Sequence, residues 1–553
     1  MSRSRLESFA GSSALAAVLS AALILLLLSL RPAAIIAAPR ASTAGGTRYV
    51  APAGSDLSGD CSLAGPCQTV QHGVAVAQAG DEIHVATGTY TGTLFDANID
   101  QGINATVIIS KDIAALRGGY SADFTAHDPQ AYPTVLSASG SPGAYVLVIS
   151  GTATVVDGFT LSGSTGACSP GCGTHYFGGA VRIRGGTPTL SNNRIEHNFA
   201  YLRGGGIYAA DGAVTTIVSN LIVSNTVDGN GAGIYVQGAN ALISGNQILS
   251  NVATLEGGGI FIDSNVPAVI SANAIGYNQA TNPYSTGGAG VRTLGDHAVV
   301  MITQNDVFSN TIYGGGAGLD IWSPAVIDGN LVHDNTLRDD NPHVRGWGGA
   351  ILVGAVTQPV TVTNNVVYAN GGSGVQAVNS YQVAFVNNTV ADNLNVQPDS
   401  GTEADAYLIW NDITPTRPIT MTVFNNILAG NANCGLFFHN APAGVTSSHN
   451  DSWNNHNNAA NYCEQASAGA GDISADPLFA CPGAGDYHLL PSSPAIDIGT
   501  STQAPDHDKD GFARPYGVGF DLGAYEWRPA NLDVGLNFKV FLPLVQVPRE
   551  ATC

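Results

Sequence analysis

Apolar and polar residues alternate along the middle of the chain in short stretches, which are separated by glycine and asparagine. One phrase recurs, of the form Asn-x-(Ile/Val/Leu)-x-x-Asn, as in the stretch from Asn246 to Asn251. Its third residue is always a branched aliphatic residue between neighbours of mixed polarity, so alternate side chains point to opposite sides, as on a β-strand. The first asparagines of the nine copies are Asn193, Asn220, Asn246, Asn273, Asn305, Asn330, Asn365, Asn388 and Asn426.

A second phrase, a glycine run followed by a strand that opens on an apolar residue, repeats in phase with the first. Its clearest copies begin at Gly204, Gly231, Gly257, Gly287 and Gly314. Successive asparagine phrases start 23 to 38 residues apart, and a period of about 20–50 residues is typical of a solenoid. No stretch within a period is long enough for an amphipathic helix, so the pattern predicts an all-β repeat protein.

The repeat length suits a three-strand turn, here called a coil, of a right-handed parallel β-helix solenoid. Adjacent coils of such a stack lie about 4.8 Å apart, so the asparagines would form ladders in which each amide donates to one neighbour and accepts from another. Leucine-rich repeats need a Leu-x-x-Leu-x-Leu frame, and left-handed hexapeptide helices need a six-residue repeat; both are absent from the sequence. Residues 145–450 resemble the repeats of the pectin-lyase-like superfamily.

Both ends of the repeat region predict capping elements. The stretch Gln68–Ala79 places Val70, Val74 and Ala77 on one face of a short helix, as expected of an element that covers an open solenoid end. Beyond the repeats, the phrases from Asp476-Pro477 to Tyr525-Glu526 resemble the choice-of-anchor Q domain of bacterial surface proteins, and this resemblance implies export and surface display.

The sequence therefore divides into five predicted regions. These are a signal peptide and processing region (1–44), an N-terminal cap with the first coils (45–145), the right-handed parallel β-helix repeats (146–455), a C-terminal cap resembling the choice-of-anchor Q domain (456–530) and a tail (531–553).

The first 44 residues predict secretion. Arg3 and Arg5 precede an apolar run from Ala14 to Leu30, and small residues follow near a cleavage site expected between residues 38 and 44. The alternative is an uncleaved anchor, because the run approaches membrane-spanning length. No second such run follows, so we expect no transmembrane domain in the mature chain and a secreted or bacterial cell-surface location.

Eight cysteines fit an oxidising compartment. Cys61 and Cys67 are close enough in sequence to bridge within one loop, as are Cys168 and Cys172. The connectivity of the other four is open at this point: Cys434, Cys463, Cys481 and Cys553.

The negative charge of the chain makes some classes of partner unfavourable. The formal net charge is −21, and lysine occurs only three times, so nucleic acid and anionic membrane surfaces are poor partners. We expect an extracellular polysaccharide or the cell-envelope matrix instead. An acidic polysaccharide would be repelled unless calcium or a local arginine cluster intervened.

The outward positions of the glycine-led strands suggest a binding surface. Aromatic rings offer flat apolar platforms to sugars, and outer strands of pectin-lyase-like proteins commonly carry glycan sites, so the resemblance implies carbohydrate binding here. The alternative is that the rings only stabilise neighbouring strands. In successive coils the predicted column holds Tyr208, Tyr235, Phe261, Arg292 and Asp320, with Trp322 two residues further along its strand.

An enzyme is the alternative function, as a polysaccharide lyase or glycoside hydrolase, and a passive structural or adhesive rod is a third. Hydrolases of this fold use Gly-His-Gly and Arg-Ile-Lys phrases, which the sequence lacks. Lyases of this fold combine carboxylates that hold calcium with an arginine or lysine base. Asp339, Asp340 and Arg345 share one loop, and Arg292 is expected one coil from Asp320. A solvated loop and a cross-strand ion pair would explain the same residues.

Calcium is the cofactor that the sequence raises. Asp506, Asp508 and Asp510, followed by Gly511, have the oxygen-ligand spacing of an EF-hand-type loop. Gly517 stands where that loop needs a bidentate glutamate. The alternative is a turn rich in aspartate and glycine.

Overall fold

The computed structural model describes residues 45–96, 103–166, 177–263, 265–284, 287–338, 348–394, 406–410, 419–440, 444–456 and 459–529. Apart from one short α-helix and one 3-10 turn, the regular elements of these residues are strands. The strands pair in parallel from coil to coil in three long sheets, except for one antiparallel pair at the start of the third. The predicted all-β, right-handed parallel β-helix solenoid is therefore confirmed.

In each coil the strands of the three long sheets follow one another, and six coils add a strand of a short fourth sheet. Sheet 1 contains Thr47–Val50, Glu82–Ala86, Ala115–Tyr120, Val155–Asp157, Thr189–Ser191, Val214–Val218, Asn240–Ser244, Ala268–Ser271, Val300–Thr303, Ala325–Asp328, Val360–Thr363, Gln382–Val386, Thr420–Phe424 and Val445–Ser448. Sheet 2 contains Gly88–Tyr90, Thr134–Ser137, Thr160–Ser162, Arg194–Glu196, Leu221–Val223, Gln247–Leu249, Ala274–Gly276, Asp306–Phe308, Leu331–His333, Val366–Tyr368, Thr389–Ala391, Ile427–Ala429 and Asp451–Trp453.

Sheet 3 precedes sheet 1 in each coil, and sheet 4 follows sheet 2 in six of the coils. Sheet 3 contains Leu94–Asp96, Ile103–Ile109, Tyr145–Ser150, Val181–Arg184, Ile207–Ala210, Ile234–Gln237, Ile260–Asp263, Val291–Leu294, Gly315–Trp322, Gly348–Gly354, Ser373–Val378, Tyr407–Trp410, Leu436–His439 and Tyr462–Glu464. Sheet 4 contains Phe199–Ala200, Thr226–Val227, Val252–Ala253, Gln279–Ala280, Thr311–Ile312 and Thr336–Leu337. A separate pair, Phe479–Cys481 and Asp486–Leu489, is antiparallel.

The solenoid interior is filled by inward aliphatic side chains from the three long sheets. In one coil, Ile207, Ile217 and Ile222 are fully buried. The next coil places isoleucine opposite each of them in register. Each such burial contributes about 1.5–3 kcal/mol of transfer free energy, so the repeated aliphatic position holds the stack together.

Two asparagine ladders run along sheet 2, one at each end of its strands. Asn246 shows the pattern, since its Nδ2 donates to Oδ1 of Asn273 (3.0 Å) and to the carbonyl of Ile217 (2.8 Å). Its own Oδ1 accepts from the backbone N–H of Asn220 at 2.9 Å. One ladder links the first asparagine of every phrase and ends on the carboxylate of Asp472, and the predicted stacking is confirmed.

The bends beside the ladders explain the spacing of the phrase. Ser219 and Ser224 precede the two asparagines of one copy and have φ values of 56° and 54°. A left-handed residue at each bend reverses the pleat and turns the chain sharply. The buried amide that follows then satisfies the backbone groups that the bend leaves unpaired.

A helix, α1 (Val70–Val76), covers the first coil. Thr69 caps its N-terminus by accepting from the backbone N–H of His72, and Val70 and Val74 join the solenoid core. The helix is shorter than the predicted stretch 68–79 because Gln78 enters a turn and donates its N–H to the carboxylate of Asp81.

The C-terminal region has two parts. Residues 459–475 complete the last coil, through strand Tyr462–Glu464 and single bridges to sheets 1 and 2. Residues 476–527, here called the C-terminal segment, pack on the outer face of sheet 2, where Tyr487 and Tyr525 cluster with Tyr368. The end of this segment therefore covers the side of the solenoid across several coils.

Buried polar contacts fix the C-terminal segment on sheet 2. Side-chain amides at three bends donate to its backbone carbonyls: Asn364 to His507 (3.1 Å), Asn387 to Asp521 (2.9 Å) and Asn425 to Thr500 (2.7 Å). Inside the segment, the guanidinium of Arg514 lies 2.7 Å from Glu526, and both side chains are fully buried.

Disulfides join Cys61 to Cys67, the predicted pair, and Cys434 to Cys463. Cys481 is also disulfide-bonded. Cys168, Cys172 and Cys553 lie outside the described residues, as do the predicted signal peptide and the predicted tail. Among the described residues, no helix is long and apolar enough to cross a membrane.

Candidate functional site

The predicted outward column exists on sheet 3 and is here called the covered column. Tyr208, Tyr235, Phe261, Arg292 and Asp320 follow one another in register through five coils. The ring centroids of Tyr208 and Tyr235 lie 5.8 Å apart, and those of Tyr235 and Phe261 lie 4.9 Å apart, with the rings stacked. The structure thus brings these five side chains together and places Trp322 in the neighbouring column.

The rings of the covered column are nevertheless almost inaccessible. Tyr208, Tyr235 and Phe261 are 4%, 1% and 2% exposed. The glycine run of each coil crosses directly over the ring: a Cβ added at Gly231, where φ is 68°, would lie 2.8 Å from the Cβ of Tyr235. A sugar therefore has no flat ring face to stack on here, and carbohydrate binding by these rings stays a prediction.

A charged group ends the covered column. Nη1 of Arg292 lies 2.6 Å from Oδ2 of Asp320, and Nε of Arg292 lies 3.4 Å from the carboxylate of Glu256. Burial raises the pKa of Asp320 to about 6, against the opposing effect of Arg292. Asp320 also accepts from the indole N–H of Trp322, so the buried pair orients an aromatic side chain at its rim.

A second outward column on sheet 3, two residues further along each strand, is partly accessible and is here called the open column. Backbone pairing places its members in register from Gln237 to Trp322 and again from Gly354 to His439. Because Ile321 pairs with Val353, Trp322 lies beside Gly354 and the column is continuous. Its members are Gln237, Asp263, Leu294, Trp322, Gly354, Val378, Trp410 and His439. The sequence analysis predicted only Trp322 at this column. Strand alternation predicts all the other members too, since residues two apart on a strand point to the same face.

One end of the open column forms a depression of about 300 Å³, lined by the polar residues Gln237, Asp263 and Asn265 and by the apolar residues Val266 and Leu294. The buried tyrosines support it from below. The hydroxyl of Tyr208 donates to Gln237 and that of Tyr235 donates to Asp263, both at 2.8 Å. The covered column thus positions hydrogen-bonding groups at the surface.

The aromatic end of the open column carries two half-buried indoles. Trp322 lies so close over Gly354 that a Cβ there would be 2.5 Å from the indole, and the guanidinium of Arg292 lies 5.0 Å from its ring centroid. Trp410 stacks on His439 with ring centroids 3.9 Å apart.

The predicted calcium loop is occupied by other contacts. Both carboxylate oxygens of Asp508 accept backbone N–H groups, including that of Glu526 at 3.0 Å. Asp510 bonds to His488, and Asp506 to His507. Calcium binding stays a prediction.

The predicted lyase cluster is only partly described. Arg292 and Asp320 are neighbours, as expected, but Asp339, Asp340 and Arg345 lie outside the described residues. Among the described residues, the one histidine, cysteine and carboxylate group close enough to share a metal ion is Cys61, Cys67 and His72, and its two sulfurs are joined in a disulfide.

Known proteins resemble this architecture. The family described as "Right handed beta helix region" matches residues 178–293 and 282–470, more than half of the chain. No curated protein sequence matches significantly.

Several solved structures align with this chain at low sequence identity. The pectate lyase Pel9A is 15% identical (TM-score 0.34), and the match covers 88% of this chain and 98% of that one. XylC in complex with xylose is 11% identical (TM-score 0.41; 87% and 98% covered). The alginate lyase AlyGC of family PL6 is 13% identical (TM-score 0.46), with 84% of this chain and 59% of that chain covered.

Proposed function

This chain belongs to the right-handed β-helix family, and on that premise we propose that it binds an extracellular polysaccharide along the open column of sheet 3. The observation that carries the proposal is the open column itself, which presents a half-accessible side chain in every coil except that of Gly354. The depression around Asp263 lies at one end of this column, and the indoles of Trp322 and Trp410 follow along it.

The repeat of the column suits a polymer. Gln237 and His439 are seven coil rises apart, which corresponds to about 34 Å. A polysaccharide lying parallel to the solenoid axis would meet a new side chain at each rise except at Gly354. Stacking on the indoles and hydrogen bonds to Gln237, Asp263 and Asn265 would then recur along several sugar residues, which is how a shallow site gains affinity.

The test is retention on a glycan array and calorimetry with the variants Trp322→Ala and Trp410→Ala. Each is expected to weaken binding about tenfold, since one aromatic contact contributes about 1–1.5 kcal/mol. Tyr277→Ala is the matched control, because Tyr277 is an exposed aromatic residue beside a different sheet. Binding that survives both tryptophan changes, or that Tyr277→Ala weakens as much, rejects the open column.

We further propose that the protein is secreted or displayed on the bacterial cell surface. The disulfides Cys61–Cys67 and Cys434–Cys463 support an oxidising compartment, as does the signal-like sequence of residues 1–44. The resemblance of the C-terminal region to the choice-of-anchor Q domain favours surface display. Cell fractionation with N-terminal sequencing of the mature chain tests location and cleavage together.

A polysaccharide lyase is the second candidate, because the buried Arg292–Asp320 pair and Glu256 lie beside the indole of Trp322. This arrangement has the arginine and carboxylates that proton abstraction next to a uronate carboxyl needs. Incubation with a panel of polyuronates separates the candidates. Ultraviolet absorbance from unsaturated products that Arg292→Ala abolishes favours the enzyme, and binding without such products favours the binder.

A further inference from the structure

We propose that the open column selects an uncharged, hydroxyl-rich polysaccharide and excludes chains that carry carboxylate or sulfate groups. The inference rests on the proposed function, that is, on polysaccharide binding at this column. It follows from the contacts of arginines and aspartates among the described residues of the outer face of sheet 3.

The arginines of this face already have partners within the protein. Arg184 lies 3.0 Å from the carboxylate of Asp211. Arg292 lies between Asp320 and Glu256, which outnumber it in charge. An incoming anion would have to displace a carboxylate from either guanidinium.

Two further arginines among the described residues of this face point at aromatic rings. Nη1 of Arg182 donates to the hydroxyl of Tyr145 (3.0 Å), and the side chain is almost fully buried. The guanidinium of Arg203 lies 5.2 Å from the ring of Phe177 and 5.1 Å from that of Tyr235. These contacts engage both guanidinium groups with rings of the covered column.

A carboxylate lines the depression. Asp263 accepts from the hydroxyl of Tyr235, and no salt bridge joins it to an arginine, lysine or histidine among the described residues. Asp296, at the next loop, is exposed and is tied to the depression by its backbone N–H, which donates to Asn265 at 3.0 Å. Within a chain of net charge −21, a bound polyanion would meet repulsion at close range and from the whole surface.

The same groups suit sugar hydroxyls. The carboxylate of Asp263 accepts hydrogen bonds, and those from a neutral donor to an ionised acceptor are about twice as strong as neutral ones. The amides of Gln237 and Asn265 both donate and accept. The hydroxyls of a neutral glycan can therefore form hydrogen bonds with these groups. A uronate would place its own carboxylate, which only accepts hydrogen bonds, against the carboxylate of Asp263.

The experiment compares soluble hexasaccharides on the full-length protein by calorimetry, with chelator present, in 20 mM and 500 mM NaCl. The neutral probes are cellohexaose, xylohexaose and mannohexaose, and the acidic probes are hexagalacturonate and hexamannuronate. We expect at least one neutral probe to bind ten or more times more tightly than either uronate at low salt, with less than a twofold change in Kd at high salt.

The matched variants are Asp263→Asn, which keeps the size of the side chain, and Asp228→Asn, an exposed aspartate on a separate loop. Asp263→Asn should weaken the neutral probe and strengthen the uronates, while Asp228→Asn should change neither. Tighter binding of a uronate by the unaltered protein overturns the selectivity but leaves the binding function standing. If none of the probes binds and the glycan array is also negative, both fail.

Discussion

The imidazole Nε2 of His507 lies 3.1 Å from Oδ2 of Asp328, although 179 residues separate the two in the chain. Its Nδ1 lies 2.8 Å from the carboxylate of Asp506. Carboxylates only accept hydrogen bonds, so a histidine between two of them must be the doubly protonated imidazolium. The hydrogen bond to Asp328 is the main reason that the pKa of His507 is raised to about 9. A charged histidine thus ties the C-terminal segment to the solenoid.

This contact predicts that the protein loses stability at alkaline pH. Because the pKa of His507 is raised from 6.5 to about 9 on folding, its contribution is complete below about pH 6.5 and disappears as the pH rises through about 9. The free energy of unfolding in urea should therefore fall over this interval. The variant His507→Gln should show a smaller fall. His297→Gln, at an exposed histidine, should fall like the unaltered protein, and equal profiles for all three would contradict the contact.

The asparagine ladders predict a large effect of a single amide. Nδ2 of Asn278 donates to Oδ1 of Asn310 and to the carbonyl of Ile248, and its Oδ1 accepts from Asn251. Asn278→Ala leaves several buried groups unpaired at about 1–3 kcal/mol each. We expect a loss of unfolding free energy of about 4 kcal/mol, measured by urea denaturation. Asn240→Ala, at an exposed asparagine of the same solenoid, should change it by less than about 0.5 kcal/mol.

Two glycines with similar backbones separate conformational strain from crowding. Gly231 and Gly212 have φ values of 68° and 73°, but an added Cβ meets Tyr235 only at Gly231 and open space at Gly212. Alanine at either position costs about 1 kcal/mol for the left-handed backbone. Gly231→Ala should lose about 1–3 kcal/mol more through overpacking. Thermal unfolding of the two variants measures the difference, and equal losses would show that the backbone does not press on the ring.

The disulfides predict an order of stabilisation. Cys434–Cys463 closes a span of 29 residues and Cys61–Cys67 one of 6, and a longer loop removes more entropy from the unfolded chain. Replacing both cysteines of the longer loop with serine should cost about 3–4 kcal/mol, about 1 kcal/mol more than the same change in the shorter one. Urea unfolding of the two double variants under oxidising conditions gives both values, and the reverse order would count against the entropic explanation.

The fold was predictable because every coil repeats the same environment. Ile248 in one coil and Ile275 in the next occupy the same inward position, so the physical requirement appears in the sequence as a period. The ladder of Asn246 and its counterparts follows for the same reason. The alignment of Tyr208, Tyr235 and Phe261 in one outward column was equally predictable, since it needs only strand alternation.

The burial of those rings was not predictable from alternation alone. It depends on the glycine backbone of each coil passing over the outward residue, and a strand pattern gives the side of the sheet but not what lies above it. The signal was the glycine run itself, since the contact at Gly231 admits no side chain. Since the covered column is closed to solvent, the partly accessible outward surface of sheet 3 is the open column, which includes Gln237 and Trp410.

The sequence by itself determined the period, the inward aliphatic positions and the two amide ladders, because these rest on neighbouring coils that repeat one local rule. Only the tertiary structure decided where the C-terminal segment lies and which outward column reaches solvent. Contacts such as His507 with Asp328 join stretches that share no repeat. Asn364, Asn387 and Asn425, each followed by a ladder asparagine, mark the docking bends in the sequence. The sequence does not show this role, because a side-chain amide at a bend can hydrogen-bond equally well to water or to a docked backbone. Only the position of the segment shows which of the two it does.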